Sequence, residues 1–166
     1  EDNTNRFYGQ MAVKFDIAKG LFVQYRLGID NYTEFQEYAQ NKGGIAANYP
    51  TGIYRTDVGF NAIWDHTAII NYDKNFNSGI SISAQAGGNM NRTSYSQTGS
   101  TSTQQLVYGL LNHANFITQS PNGEDGGSLN YDQKTLTVAG FAQAQVGYND
   151  FVFLTVGGRN SWKSTV

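Results

Sequence analysis

Hydrophobic and polar residues alternate along the chain with a period of two, which places successive side chains on opposite faces of a β-sheet. The alternation recurs in six runs, and the clearest covers residues 80–90, where Ile and Ala alternate with Ser, Gln and Asn. The other runs cover about residues 7–17, 21–29, 67–73, 138–148 and 152–159. The pattern predicts an all-β chain of about six antiparallel strands.

The connections between these runs alternate in length. The turns at residues 18–20, 77–79 and 149–150 are short, whereas the stretches at about 31–55 and 93–133 are long. Transmembrane β-barrels of the outer membrane have short turns on the periplasmic side and long loops outside. The rhythm therefore favours a segment of such a barrel.

Aromatic residues mark the edges that a membrane strand would reach. A strand crosses the bilayer in about 9–11 residues, so that distance from each short turn locates an interface. Trp64 and Trp162 lie near one edge, and Tyr72 and Tyr148 lie close to the turns at the other. We expect these four rings to form the aromatic girdle. The outward positions between them carry no charge, and a charge there would cost about 2–4 kcal/mol at the midplane.

A soluble β-sandwich also alternates, so the membrane interpretation needs further support. The apolar face is rich in Gly and Ala, which suits a surface that meets fluid lipid better than a close-packed core. The opposite face carries Gln, Asn, Ser and Thr more than charge, as in a wet or plugged lumen. A soluble β-rich binding or adhesion module remains an alternative, and it would stay monodisperse without detergent.

Composition excludes several other classes. The chain has 11 Tyr, 10 Phe and 19 Gly but only 2 Pro, a mixture that favours strands over helices. A net charge of -2 argues against a nucleic-acid partner, and the absence of Cys excludes thiolate chemistry. The longest apolar run, residues 151–154, is too short for a membrane helix. Because bacterial barrels start at eight strands, we expect an internal excerpt of a longer protein.

No pattern of residues indicates catalysis or a cofactor. The two histidines, His66 and His113, are far apart and lack the spacing of metal ligands. The loop at residues 122–132 offers oxygen ligands for Ca²⁺ but not the spacing of a calcium loop, so a solvated turn is favoured. We therefore expect no enzyme, no resident metal and no cofactor.

Several segments are similar to one family. Residues 142–151 and 151–165 resemble the SusC/RagA pattern "ASFGYKDY" followed by "YLDVTGRNDWSSTL", with Gly-Arg-Asn-x-Trp the most specific element. Residues 71–76 and 86–89 resemble the family's "NYxKxF" and "xxGGN" segments. Residues 106–112 are similar to a degenerate "VPGLYNLSN" loop, with Tyr108 in place of Pro and Leu111 in place of Tyr. The resemblance covers most of residues 56–166.

The resemblance to SusC/RagA proteins implies a function beyond what the pattern shows. It implies that residues 1–166 are part of a 22-stranded, plugged TonB-dependent barrel in the outer membrane of a Gram-negative bacterium. Such a protein imports oligosaccharides or peptides, contacts TonB through other regions and works with a SusD-type surface lipoprotein. We also expect a dimer of transporter–lipoprotein pairs. A siderophore-type TonB-dependent receptor is the alternative within transport.

Two groups of residues are candidate contact sites. The first group faces the lumen, where each charge could pair within the wall or touch the plug or a solute: Lys14, Asp16, Arg26 and Arg159. The second group consists of aromatic residues in the predicted outer loops: Tyr32, Tyr38, Tyr49, Tyr54, Tyr95, Tyr108 and Phe116. Aromatic rings there could stack on sugars, on peptide side chains or on a lid, or pack within the loops themselves.

Overall fold

The computed structural model describes residues 1–44, 49–149 and 151–165 as a single antiparallel β-sheet with long strands. The all-β class predicted from the alternation is confirmed. Asp150 of the predicted last turn and the terminal Val166 lie outside the described residues. No helix in the described residues is long and apolar enough to cross a membrane.

Six long strands and one short strand build this sheet in the described residues. They are β1 (Asp2–Ala18), β2 (Leu21–Gln40), β3 (Ile53–Asn75), β4 (Ile80–Gln105), β5 (Phe116–Ser120), β6 (Tyr131–Tyr148) and β7 (Val152–Thr165). The strand order is β1-β2-β3-β4-β6-β7, and β5 pairs with the end of β4. A 3-10 turn at His113–Asn115 leads into β5.

The strands are longer than the sequence pattern predicts. β2, β3 and β4 contain 20, 23 and 26 residues, whereas a membrane crossing needs about 9–11. They extend through much of the stretches at 31–55 and 93–133, so the prediction of long loops there is wrong for the strand parts. The added segments are rich in Thr, Tyr and Gln, which suit a strand but carry no apolar–polar alternation.

The short turns at residues 18–20 and 77–79 lie where they were predicted, and they are linked to neighbouring hairpins. Gly20 and Gly79 occupy the β1–β2 and β3–β4 turns with φ angles of 78° and 76°, which favour glycine. The backbone N–H of Asp73 donates to the carbonyl of Gly20 at 2.7 Å. The N–H of Asn149 donates to the carbonyl of Gly79 at 2.7 Å. Each turn is therefore fixed to the hairpin beside it.

The pairing of β6 with β7 fixes which residues share a face, since directly opposed residues of antiparallel strands project to the same side. Apolar residues oppose apolar residues in the pairs Val138–Trp162, Ala144–Val156, Val146–Leu154 and Tyr148–Val152. The intervening pairs are Ala139–Ser161, Phe141–Arg159, Gln143–Gly157, Gln145–Thr155 and Gly147–Phe153. The two-faced character predicted for this hairpin is confirmed.

The chain divides into two compact units. The first, here the loop-side unit, comprises Glu1–Phe7, Asn31–Asn61 and Ser94–Gln133. The second, the turn-side unit, comprises Tyr8–Asp30, Ala62–Thr93 and Lys134–Val166. In the turn-side unit, large apolar side chains are exposed at alternate strand positions: Met11, Val13, Phe15, Ile17, Trp64, Ile70, Tyr72, Val138, Val146, Leu154, Val156 and Trp162. Within the described residues no second layer covers this apolar face.

The loop-side unit has its own small core. Ile53, Phe116 and Leu129 are buried there. Buried polar side chains accompany them, namely Asp57, Thr101, Ser102, Gln105 and Asn115. A core with this share of polar groups stays folded only because most of them are hydrogen-bonded.

Candidate functional site

On the polar side of the turn-side unit, hydrogen bonds from neighbouring side chains hold the carboxylate of Asp65. The amide nitrogen of Asn89 donates to both carboxylate oxygens of Asp65, at 3.1 and 3.0 Å. The amide of Asn91 and the hydroxyl of Thr67 each donate at 3.2 Å. Arg26 interacts electrostatically with the same carboxylate. The cluster fixes one carboxylate on the face that the pattern assigns to the lumen.

The predicted lumenal charges differ in whether they find a partner. The Nζ atom of Lys14 lies 3.1 Å from Asp16 and 4.2 Å from the ring centroid of Phe22. Arg159 lies opposite Phe141, and its Nε donates to the hydroxyl of Ser161 at 3.4 Å. In residues 1–44, 49–149 and 151–165 no carboxylate forms an ion pair with Arg159. The structure therefore pairs Lys14 with Asp16, whereas Arg159 forms no ion pair with a carboxylate of the described residues.

A surface of tyrosines and amides lies on one side of the loop-side unit, and we call it the tyrosine face: Tyr32, Asn61, Tyr95, Gln97 and Tyr131. The amide of Asn61 donates to the hydroxyl of Tyr32 at 2.8 Å. The hydroxyl of Tyr95 donates to Gln97 at 2.8 Å. The rings of Tyr95 and Tyr131 lie 5.4 Å apart at 39°. Aromatic surfaces flanked by fixed amides suit polar ligands with flat or apolar patches.

Tyr95 owes its position to the missing side chain of Gly59. A Cβ at Gly59 would lie 2.8 Å from the Tyr95 hydroxyl, so any larger residue would push the ring away. Burial, the neighbouring Tyr131 and the negative charges of Glu34 and Asp57 raise the pKa of Tyr95 to about 12. The phenol therefore remains a neutral hydrogen-bonding group throughout the physiological range.

His113 ties the loop after β4 to two strands. One ring nitrogen, Nε2, lies 2.8 Å from the hydroxyl of Thr56 in β3, and Nδ1 lies 2.8 Å from that of Ser102 in β4. The ring of Tyr54 packs edge-on at 4.7 Å. Burial lowers the pKa of His113, which favours the neutral ring. Sequence reasoning missed this structural role, because Thr56 and Ser102 lie 57 and 11 residues away in the chain.

Residues 106–111, here the apolar tip, present large apolar side chains to the outside. The exposed residues are Leu106, Val107, Tyr108, Leu110 and Leu111. These residues belong to the segment that resembles the degenerate "VPGLYNLSN" loop. The tip is therefore an apolar surface on a part of the chain where the surroundings are polar.

Buried polar side chains hold the backbone of the apolar tip. The amide of Asn115, whose residue is 5% exposed, donates to the carbonyls of Val107 and Leu110 at 2.7 Å each. Its carbonyl oxygen accepts the N–H of Val107 at 3.0 Å. The ammonium group of Lys42 donates to the carbonyl of Leu106 at 2.8 Å. Hydrogen bonds from Asn115 and Lys42 therefore hold the backbone of the tip.

The seven aromatic candidates occupy different settings. Tyr49 and Tyr108 lie between strands, as predicted. Placement in loops is wrong for Tyr32, Tyr38, Tyr54, Tyr95 and Phe116, which lie in β2, β3, β4 and β5. Phe116 is 4% exposed and stacks on Tyr54 with ring centroids 6.1 Å apart. Because it fills the core, its prediction as an exposed ligand or lid contact is wrong.

The predicted girdle residues Trp64, Tyr72, Tyr148 and Trp162 are all exposed. Trp64 stacks on His66 with ring centroids 6.5 Å apart. The Nδ1 atom of His66 is hydrogen-bonded to the hydroxyl of Tyr25 at 2.7 Å. The positions suit an interface with lipid headgroups, and the girdle role itself stays a prediction.

The loop at residues 122–132 forms an internally bonded turn. The N–H of Gly123 donates to the carbonyl of Gly127 at 2.7 Å, and the N–H of Gly127 donates to the Asp125 carboxylate at 3.1 Å. In the part of the chain that the structure describes, no three His, Cys, Asp or Glu side chains are grouped as metal ligands. These local hydrogen bonds hold the turn.

No protein-family model and no curated protein matches the sequence. Solved structures do match. Against the RagAB peptide transporter the TM-score is 0.74 at 14% identity, over 98% of this chain and 18% of that one. Against the RagAB peptide importer in the open-open state it is 0.66 at 15% identity, with the same coverage. Against BauA, the ferric preacinetobactin receptor of Acinetobacter baumannii, it is 0.51 at 14% identity, over 99% and 25%.

These similarities define the fold. The chain has a TonB-dependent transporter-like fold and forms an antiparallel segment of a β-barrel, as predicted. It spans 18% of the RagAB chains and 25% of BauA. The solved neighbours are transporters and a receptor, not enzymes. A wall with one apolar and one polar face can line a route for solutes.

Proposed function

We propose that this chain is part of the barrel wall of a TonB-dependent importer in the outer membrane of a Gram-negative bacterium. One observation carries the proposal: large apolar side chains at alternate strand positions of the turn-side unit are exposed, and no protein layer in the described residues covers them. Water would disfavour such a surface, whereas the hydrocarbon of a bilayer accommodates it. A β-sandwich would instead bury these side chains between two sheets.

The opposite face supplies the polar lining that an enclosed lumen needs. Asp65 is surrounded by Asn89, Asn91, Thr67 and Arg26, and so its charge is satisfied within the wall. Lys14 and Asp16 pair in the same manner on β1. Fixed, paired charges favour a water-filled or plugged interior over a surface that faces lipid.

The finer assignment is a SusC/RagA-type importer of oligosaccharides or peptides. Its support is the Gly-Arg-Asn-x-Trp segment at residues 158–162 together with the fold shared with the RagAB peptide transporter. On this proposal residues 1–166 are part of the barrel domain, and the plug and the TonB contact belong to other parts of the protein. A SusD-type lipoprotein closes the outer mouth, and transporter–lipoprotein pairs form dimers.

The tyrosine face is the proposed contact for the solute. Tyr131 is exposed beside Tyr95, and the amides of Asn61 and Gln97 have fixed orientations. An amide with a fixed orientation and an accessible ring can bind a sugar or a peptide backbone without ordering new side chains.

A growth experiment tests the proposal. A strain that lacks the full-length transporter is complemented with the wild type, with Tyr131→Ala, or with the matched control Tyr148→Ala, whose tyrosine is exposed outside the tyrosine face. We expect the wild type to restore growth on defined glycans or peptides as sole carbon source, the Tyr131 variant to raise the concentration needed for half-maximal growth, and the control to match the wild type. If the deletion strain grows as well as the strain complemented with the wild type on every glycan and peptide, the import function is refuted.

A siderophore receptor is the second candidate, because the chain also shares its fold with BauA. The higher TM-score against the RagAB transporter, 0.74 compared with 0.51, favours the first candidate. Growth under iron limitation separates the two. A defect of the deletion strain that appears only without iron, and that a ferric siderophore fails to relieve, would support the receptor.

A further inference from the structure

Two basic residues of the turn-side unit lie just beyond the stretch that crosses a bilayer. β4 starts at Ile80, and a crossing of about 9–11 residues ends at about residue 90, so Arg92 lies immediately past it. β6 ends at Tyr148, and the same count back along this strand ends at about residue 138, so Lys134 also lies past it. Both residues are on the side away from the short turns, which in outer-membrane barrels is the outside.

Arg92 projects to the apolar face of the sheet. The amide of the preceding residue, Asn91, donates to Asp65 on the polar face, and consecutive side chains of a strand project to opposite sides. Trp64 precedes Asp65 in β3 and projects to the apolar face for the same reason. Arg92 and Trp64 therefore share one face of the adjacent strands β3 and β4.

Lys134 projects to the same face from β6. It stands two and four positions before Leu136 and Val138, so these three side chains share one side of the strand. Val138 lies directly opposite Trp162 of β7, and both are exposed apolar residues. Lys134 therefore extends the apolar face outward with a positive charge.

The alignment of β4 with β6 brings the two cations into one patch. A Cβ at Gly88 would lie 3.4 Å from the carbonyl oxygen of Ala139, which fixes the antiparallel register of the two strands. Four positions further along β4, Arg92 therefore lies beside residues 134–136. We call the patch the cationic rim, and it consists of two basic and two indole side chains: Trp64, Arg92, Lys134 and Trp162.

Neither cation of the rim is paired within the sheet. Among residues 1–44, 49–149 and 151–165 no carboxylate forms an ion pair with Arg92 or Lys134. This holds even for Asp132, which stands two positions before Lys134 in β6. The two positive charges therefore have to be balanced by something outside these strands.

The depth of the cationic rim indicates what meets it. The rim continues the apolar face that the proposed function places against hydrocarbon, and it lies at the level of the lipid headgroups. Indole rings are enriched at this level, and basic side chains there attract anionic headgroups. A phosphate group accepts charge-assisted hydrogen bonds from both Arg and Lys. An uncharged headgroup would leave both cations unpaired.

We infer that the cationic rim binds the phosphorylated headgroup of an anionic lipid in the outer leaflet. Arg92 and Lys134 donate to the phosphate oxygens, and the indoles of Trp64 and Trp162 flank the junction of headgroup and acyl chains. This inference rests on the proposed function, because it requires the apolar face to lie in a bilayer.

Native mass spectrometry of the full-length transporter in detergent micelles tests the inference. The probe is bisphosphorylated lipid A, and it is compared with its dephosphorylated form and with inorganic phosphate. We expect the wild type to bind the phosphorylated form about tenfold more tightly than the dephosphorylated form, and inorganic phosphate to leave that binding unchanged. Equal binding of the two forms, or displacement by inorganic phosphate at equal concentration, would overturn the inference.

Substitutions locate the site. Arg92→Gln combined with Lys134→Gln should weaken lipid A binding by about tenfold or more, since each basic residue near an anionic headgroup contributes roughly fivefold. Lys74→Gln combined with Lys163→Gln is the matched control. It removes the same charge beside the β3–β4 turn and on the polar face, where Lys163 lies opposite Thr137, and it should bind like the wild type.

A charge-conserving variant separates the loss of charge from misfolding. Arg92→Lys should bind lipid A within about twofold of the wild type, because the cation remains. If the wild type imports its solute and both double variants bind lipid A equally, the inference about the rim alone is wrong. If the wild type supports no import at all, the proposed function is wrong.

Discussion

Val156 lies directly opposite Ala144 across β6 and β7, and its side chain is 67% exposed. The two side chains share a face with Trp162, whereas the neighbouring Thr155 projects to the other side with Gln145. Adjacent residues of one strand therefore meet different surroundings. This contrast allows the two faces to be tested by substitutions one residue apart.

Val156→Arg should destabilise the full-length barrel by about 2–4 kcal/mol in a bilayer, because the charge would face hydrocarbon near the middle of the strand. Thr155→Arg should cost less than about 1 kcal/mol, since its side chain reaches the polar face. Guanidinium unfolding in phospholipid vesicles, followed by tryptophan fluorescence, measures both values. Equal costs for the two variants would show that lipid does not contact the apolar face.

Gly20→Ala should destabilise the protein by about 1–3 kcal/mol, because the φ angle of 78° is strained for alanine. A Cβ at this position would also overlap the carbonyl oxygen of Asp73. Gly9→Ala is the matched control, since no atom lies within 4 Å of a Cβ there. The same unfolding measurement applies, and a Gly9 variant as unstable as the Gly20 variant would contradict this account of the turn.

Acidification should loosen the loop that His113 holds. The pKa of His113 is lowered in the folded protein, so the unfolded loop binds more protons below about pH 6.5. The stabilising effect of the neutral ring is therefore present above that pH and is lost as the pH falls toward the folded-state pKa. Hydrogen exchange of the amides at residues 106–115 should accelerate severalfold between pH 7.5 and pH 5, measured in pH-corrected exchange by mass spectrometry.

His113→Gln should remove this pH dependence, because glutamine does not titrate. His66→Gln should retain it, since that ring lies in the other unit and bonds Tyr25. An unchanged pH dependence in the His113 variant would assign the effect to another group.

The titration of Tyr95 should be displaced to high pH. A difference spectrum of the wild type against Tyr95→Phe, recorded near 295 nm, should show one phenol that ionises at about pH 12 instead of near 10. Because the folded pKa is raised, the stability from the neutral phenol is present below pH 10 and is lost as the pH rises toward 12. Gly59→Val should expel the ring and return its pKa toward the ordinary value.

The sequence predicts the strands well wherever apolar and polar positions alternate. At Ile82 and Ser83 this contrast repeats every second residue and identifies the strand. Around Thr98 and Ser100 both faces are polar, so the pattern gives no signal although β4 continues through them. The extension of β4 depends on pairing with β5 and on the core of the loop-side unit, and both involve residues far away in the chain.

The sequence predicts which types of residue form the candidate site, but not how their side chains contact one another. Arg26 was expected to pair with a lumenal carboxylate, and it interacts electrostatically with Asp65 of a different hairpin. Asp65 and the predicted girdle residue Trp64 are consecutive in β3, so their side chains project to opposite faces of the sheet. Alternation alone could therefore have indicated the face of Asp65. The contact of Tyr95 with Gly59 could not be predicted, because it requires the register between β3 and β4.

The hydrogen bonds from Asp73 to Gly20 and from Asn149 to Gly79 bear on how such a wall can change over time. Inserting or deleting one residue in a single strand would shift its turn away from the bonded neighbour and leave two backbone groups without partners. Adding or removing a complete hairpin leaves the hydrogen bonds between the remaining neighbouring hairpins in register. We therefore expect the size of such a barrel to change in steps of two strands.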